Sequence, residues 1–140
     1  MKLFYLFLAS FFISLSTLAQ PGWKVMLNGK TVLNTTVEDE TKNIVRIKKA
    51  DLKKKKGVSV IYTEEAKKKN WEREIALYDE NDRELARQKG TELKISNSVL
   101  QSFFKKSKKV GIYTLAFPAD PKLKAAIRIR RVHLCTLILE

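Results

Sequence analysis

The sequence predicts an all-β protein: an antiparallel β-sandwich of about eight strands with one short helix. Three observations predict it. Short runs rich in β-branched and aromatic residues recur at roughly ten-residue spacing. Turn-forming residues punctuate them, and one stretch alone carries apolar residues at helical spacing. With 140 residues the chain can bury a core as a single domain.

The chain opens MKLFYLFLASFFISLSTLAQ. One cation, Lys2, precedes an apolar run from Leu3 to Leu15, and Thr17 and Ala19 supply small residues ahead of Gln20. This is the three-part pattern of a secretory signal peptide over residues 1–19, cleaved near Ala19. The apolar run is shorter than the ~20 residues that span a bilayer. The expectation is an exported protein, periplasmic or secreted, whose mature domain is residues 20–140 with no transmembrane span. A single cysteine, Cys135, cannot form an internal disulfide. Small exported animal domains usually carry several cysteines, so the pattern fits a bacterial protein better.

The strands follow in order. Trp23 to Leu27 and Thr31 to Thr36 flank Asn28-Gly29, a strong hairpin signal. Ile44 to Ile47 is a short strand, and Val58 to Thr63 follows Gly57. Trp71 to Tyr78 alternates, and the acidic turn Asp79-Glu80-Asn81-Asp82 leads to a hairpin partner at Arg83 to Gln88. Val110 to Phe117 and Ala126 to Leu139 complete the set, separated by the loop Pro118-Ala119-Asp120-Pro121. The one helical stretch carries Val99, Leu100, Phe103 and Phe104 as a stripe. Ser96 or Ser98 caps it, and Lys105, Lys106, Lys108 and Lys109 crowd its last turn, where cations suit the helix dipole. The arrangement looks broadly immunoglobulin-like, although the Cys…Trp…Cys spacing of antibody domains is absent.

The last strand contains the only histidine, His133, and the only cysteine. Its apolar phase slips across Arg130-Arg131, which predicts a β-bulge there. Beyond the slip, His133 and Cys135 are expected on one face, with Cα atoms about 6.5–7 Å apart. Two ligands are too few for zinc, which needs three or four from protein. A Cys-His nucleophilic pair needs hydrogen-bond contact and an orienting group, which same-face neighbours on a strand do not offer. The expectation is a buried structural cysteine beside a partly buried histidine. The acidic turn at Asp79 departs from a calcium loop, since Arg83 and Glu84 stand where that loop needs an oxygen ligand and a glycine. No phosphate loop, dinucleotide fingerprint or Gly-x-Ser-x-Gly occurs, and no catalytic residue, metal ligand or cofactor is assigned.

The remaining signal is charge, a formal +13. The candidate anion-binding residues are Lys53, Lys54, Lys55 and Lys56, then Lys67, Lys68 and Lys69, then Arg128, Arg130 and Arg131. The two lysine runs flank Val58 to Thr63 and should sit at opposite ends of that strand. The arginines can fork onto phosphate or carboxylate. An exported protein with few aromatics to stack bases is not expected to bind nucleic acid. The first functional expectation is a non-enzymatic interaction domain that recognises an anionic envelope component, lipid or polysaccharide, or another exported protein. A small hydrolase or metal-dependent enzyme using His133 with nearby carboxylates is the alternative from another class. A structural accessory subunit of an envelope complex is the third.

Overall fold

The computed structural model describes residues 21–64 and 69–140. The expected signal peptide, and Lys67 and Lys68, lie outside the described residues. The described chain is mostly strand. It runs β1 (Gly22–Leu27), β2 (Lys30–Thr35), β3 (Ile44–Ile47), a 3-10 turn (Asp51–Lys53), β4 (Gly57–Thr63), β5 (Trp71–Asp79), β6 (Glu84–Lys89) and β7 (Glu92–Ser96). Then come α1 (Asn97–Phe104), β8 (Lys109–Pro118), α2 (Pro121–Ala126) and β9 (Arg131–Leu139). The strands form a four-stranded sheet, β2-β1-β4-β7, and a five-stranded sheet, β3-β9-β8-β5-β6. These orders are not the A-B-E-D and C-F-G orders of an immunoglobulin constant domain.

Period-two alternation explains how the sheets meet. Val25, Val58, Val60 and Leu93 of one sheet and Ile75, Leu77, Ile112 and Leu137 of the other point into a single shared hydrophobic cluster. Full burial of each such side chain contributes about 1.5–3 kcal/mol. The β1–β2 hairpin turns through Asn28 and Gly29, both at positive φ (52° and 85°), as the Asn-Gly signal predicts. The β5–β6 hairpin turns through the acidic segment, where Asp79 Oδ1 accepts from the backbone N–H groups of Asn81 and Arg83.

Several expectations from sequence are corrected. There are nine strands, not eight, among the described residues. The additional one is β7, whose Leu93 and Ile95 alternate inward over a stretch too short to stand out between Gly90 and the helix. The sheets are not wholly antiparallel, because β3 pairs parallel with β9. A second helix, α2, follows the expected loop, and the last strand begins at Arg131 rather than Ala126. Asp120 caps it by accepting from Lys122 N, and Pro121 starts it, a start signal that lies within the Pro118–Pro121 segment. In α1, Ser96 is the cap and Leu100 is fully buried, but Val99 is 40% exposed rather than part of the apolar stripe. The helix ends at Phe104, so the expected lysines stand beyond its last turn.

The bulge in β9 is real but sits elsewhere. Ile112 pairs with Cys135 and Tyr113 with His133, leaving Leu134 as the extra residue. That shift moves His133 and Cys135 to opposite faces. Cys135 joins the inter-sheet core, while His133 lies with Tyr113 on the outer face of the five-stranded sheet. The bulge also removes Leu134 from the ladder, and its carbonyl accepts instead from Trp23 Nε1 of the other sheet at 2.8 Å.

Candidate functional site

The residues singled out from sequence fall at two ends of the molecule. β4 separates them: Lys53–Lys56 precede its first residue, and Lys69 follows beyond its last, about 20 Å away along the strand. Asn70 accepts from Ala119 N, which places Lys69 at the end where β8 finishes and β9 begins. The segment Arg128–Arg131 enters β9 from that same end and lines a shallow open depression, while the Arg131 guanidinium reaches across the sheet to Asp82 in the β5–β6 turn.

Two of those arginines are already engaged. Arg130 Nη2 donates to Glu38 Oε2 at 2.6 Å. Arg131 forks onto Asp82, with bonds of 2.8 and 3.1 Å, and stacks over the Tyr78 ring at 4.4 Å. The bidentate bond holds the Asp82 carboxyl below its usual range. Arg87 likewise joins Glu74 and Glu84 on the same outer face. Arg130 and Arg131 tie the loops at Glu38 and Asp82 to the chain entering β9, while Arg87 cross-links β5 and β6. Among the three candidates only Arg128 makes no ion pair with a described residue.

His133 is 1% exposed. Nε2 shares a 2.8 Å hydrogen bond with Thr136 Oγ1, and Nδ1 is buried without a partner. Burial holds its pKa below the ordinary 6.5, against the opposing charges of Glu40, Glu38 and Asp39. The ring packs edge-on against Tyr113, centroids 5.4 Å apart, while its backbone N–H donates to Glu38. A ring so enclosed is a packing element in this conformation. Cys135 is fully buried, and desolvation pushes its thiol up to about 12, so it holds no thiolate at neutral pH. Among the described residues no three His, Cys, Asp or Glu side chains are placed to hold a metal.

The other end is different in kind. The carboxyl ends of β1, β3, β5, β7 and β9 meet the starts of β2, β4, β6 and β8 there, joined by the 3-10 turn and α1. Asn97 is the hub. Its Nδ2 lies 2.9 Å from Asn28 Oδ1, 3.1 Å from the Asp51 carbonyl and 2.7 Å from the Lys54 carbonyl. Its N–H donates to the Lys56 carbonyl, and Gln101 Nε2 ties α1 to the Leu52 carbonyl. Gly57 lets this junction close: a Cβ there would stand 1.9 Å from the Ile95 carbonyl oxygen. At the facing sheet, Lys108 N–H donates to Glu80, and the Lys108 carbonyl accepts from Leu139.

The consequence is electrostatic. Lys53–Lys56 are joined at this end by Lys48–Lys49 and by Lys105–Lys106 and Lys108–Lys109, all exposed. Of the acids at this end, Asp51 accepts from Lys48 N–H, Asp79 from Asn81 and Arg83 N–H, and Glu80 from Lys108 N–H and Ser107, while Asp82 pairs with Arg131 and Glu140 with Arg46. Lys54–Asp51, at 3.7 Å, is the one ion pair that these lysines make among the described residues. Sheets lie about 10 Å apart and strands about 4.8 Å, so neighbouring clusters fall within roughly one Debye length and their fields add. Sequence reasoning had the runs but not their assembly. Lys48–Lys49 were missed altogether, and their only signal is a lysine pair directly after a strand. Among the described residues no helix is long and apolar enough to cross a membrane.

Comparison with known protein families, with curated proteins and with solved structures finds no match for this chain.

Proposed function

We propose that this chain is an exported, non-enzymatic β-sandwich domain that recognises an anionic partner through its lysine-bearing end. The observation that carries the reading is the gathering of lysines from two chain connections, β3–β4 and α1–β8, on one end, with Asp51 and Glu80 turned into hydrogen bonds with backbone N–H groups. Like charges so placed repel one another in the free protein, and an anionic partner relieves that repulsion. Arg130 and Arg131 support the reading by contrast, since Glu38 and Asp82 neutralise them. Export rests on the leader-like opening of the sequence.

The test is retention of residues 20–140 on an immobilised polyanion across a salt series. Reversal of Lys53–Lys56 to glutamate should abolish retention at moderate salt, while Arg128→Glu should leave most of it. Equal retention of both variants and the parent would contradict the reading.

A further inference from the structure

Resting on that reading, we propose that the lysine-bearing end docks on the headgroup layer of an anionic phospholipid bilayer. Three features favour a bilayer surface over a single bound anion. First, the cations stand on turns and beyond a helix end across both sheets, so they cover a broad end face rather than line a cleft. Concave, enclosed sites suit small ligands; a spread array suits a layer of repeated charges. Second, the clustered cations are lysines, all but one without an ion pair among the described residues, while the arginines at the same end, Arg46 and Arg83, are paired with Glu140 and Asp79. A lysine presents a mobile point charge that can meet any one phosphate in a fluid layer, without the fixed fork that arginine brings to one oriented partner. Third, α1 carries Val99 at 40% exposure between exposed Ser98 and Ser102. The Gln101 bond to the Leu52 carbonyl sets this helix against the turn that leads into Lys53–Lys56. An exposed apolar side chain beside a cationic array can enter the headgroup boundary, where amphipathic surfaces gain apolar burial as well as charge attraction.

The experiment uses residues 20–140, because the apolar stretch before Gln20 would itself partition into lipid. Both sheets and the shared core of the described fold are built from residues within that span. Co-sedimentation is measured with vesicles of phosphatidylglycerol and phosphatidylcholine, with vesicles of phosphatidylcholine alone, and with inorganic polyphosphate as a soluble competitor. The expected result is binding to the anionic vesicles only, falling steeply with salt. Each lysine neutralised should weaken binding about fivefold, so reversing Lys53–Lys56 should cost about 600-fold or more. Val99→Ser should weaken vesicle binding severalfold without changing polyphosphate binding, and Arg128→Glu should change neither. Circular dichroism and thermal melting of each variant confirm the fold. Polyphosphate binding without vesicle binding would overturn the bilayer inference and leave the anion-binding reading standing. Failure to bind either would overturn both. Vesicle binding unaffected by Lys53–Lys56 reversal would overturn the assignment to this end.

Discussion

Replacing Asn97 by alanine probes the junction that holds the lysine-bearing end together. Asn97 is 3% exposed, and its Nδ2 reaches Asn28 Oδ1, the Asp51 carbonyl and the Lys54 carbonyl. Two N–H bonds serve three acceptors, so about two full hydrogen bonds are lost, each worth roughly 0.5–1.5 kcal/mol net. The stranded acceptors add a cost of about 1 kcal/mol or more. Removing Asn97 Oδ1, which is buried without a partner, returns part of it. The net expectation is a loss of about 2 kcal/mol, or about 8 °C in Tm at roughly 4 °C per kcal/mol for a domain of this size. Asn97→Asp keeps the shape but turns a carboxylate toward three acceptor oxygens. It should cost more than alanine at neutral pH, and the difference should shrink as acid protonates it. Urea denaturation of both variants measures this. An alanine variant within about 0.5 kcal/mol of the parent, or an aspartate variant as stable as the parent, would show that Asn97 is not the hub.

Other expectations follow from the two sheets and the outer face. Trp23→Phe keeps the apolar ring but strands the Leu134 carbonyl, so it should cost about 1–3 kcal/mol by urea denaturation; a neutral effect would mean the inter-sheet bond contributes little. His133 is held neutral by burial, so the unfolded chain takes up its proton first on acidification. Stability should therefore fall as pH drops below the ordinary imidazole value, and His133→Phe should flatten that slope above pH ~5. Below it, the carboxyls lowered by their hydrogen bonds, Asp39 by Thr41, Asp79 by the Arg83 backbone and Asp82 by Arg131, lose their stabilising contribution as they protonate. Cys135, buried and with its thiol pushed up to about 12, should resist alkylation in the folded protein and react on unfolding; rapid native labelling would contradict its place in the core.

Local features were legible where one short stretch determines them. Asn28-Gly29 forces its hairpin because both residues accept positive φ, and Ser96 caps α1 because the serine stands directly before the helix. The phase slip in the last strand was also legible, but not its position. Isoleucines at 127 and 129 suggested that the strand was already running, whereas they lie beyond α2 in the chain leading to β9. With the bulge at Leu134 the His133–Cys135 pair is divided between two faces. The parallel pairing of β3 with β9 joins residues some ninety positions apart and has no local signature. For the same reason the lysine runs could be read one by one, while their assembly could not. Lys48–Lys49 adjoin Lys53–Lys56 across the 3-10 turn, but both approach Lys108–Lys109 only once β3 pairs with β9 and β9 with β8. Nor could sequence show that Glu38 and Asp82 would occupy Arg130 and Arg131.

The most direct measurement is residue-resolved. Amide chemical shifts of residues 20–140 would be followed while polyphosphate is added at low salt. Shifts concentrated at Lys48–Lys49, Lys53–Lys56, α1 and Lys105–Lys109, and reversed by salt, are the predicted result. Shifts confined to Lys69 and Arg128–Arg131, or none at any concentration, would contradict the assignment of function to the lysine-bearing end.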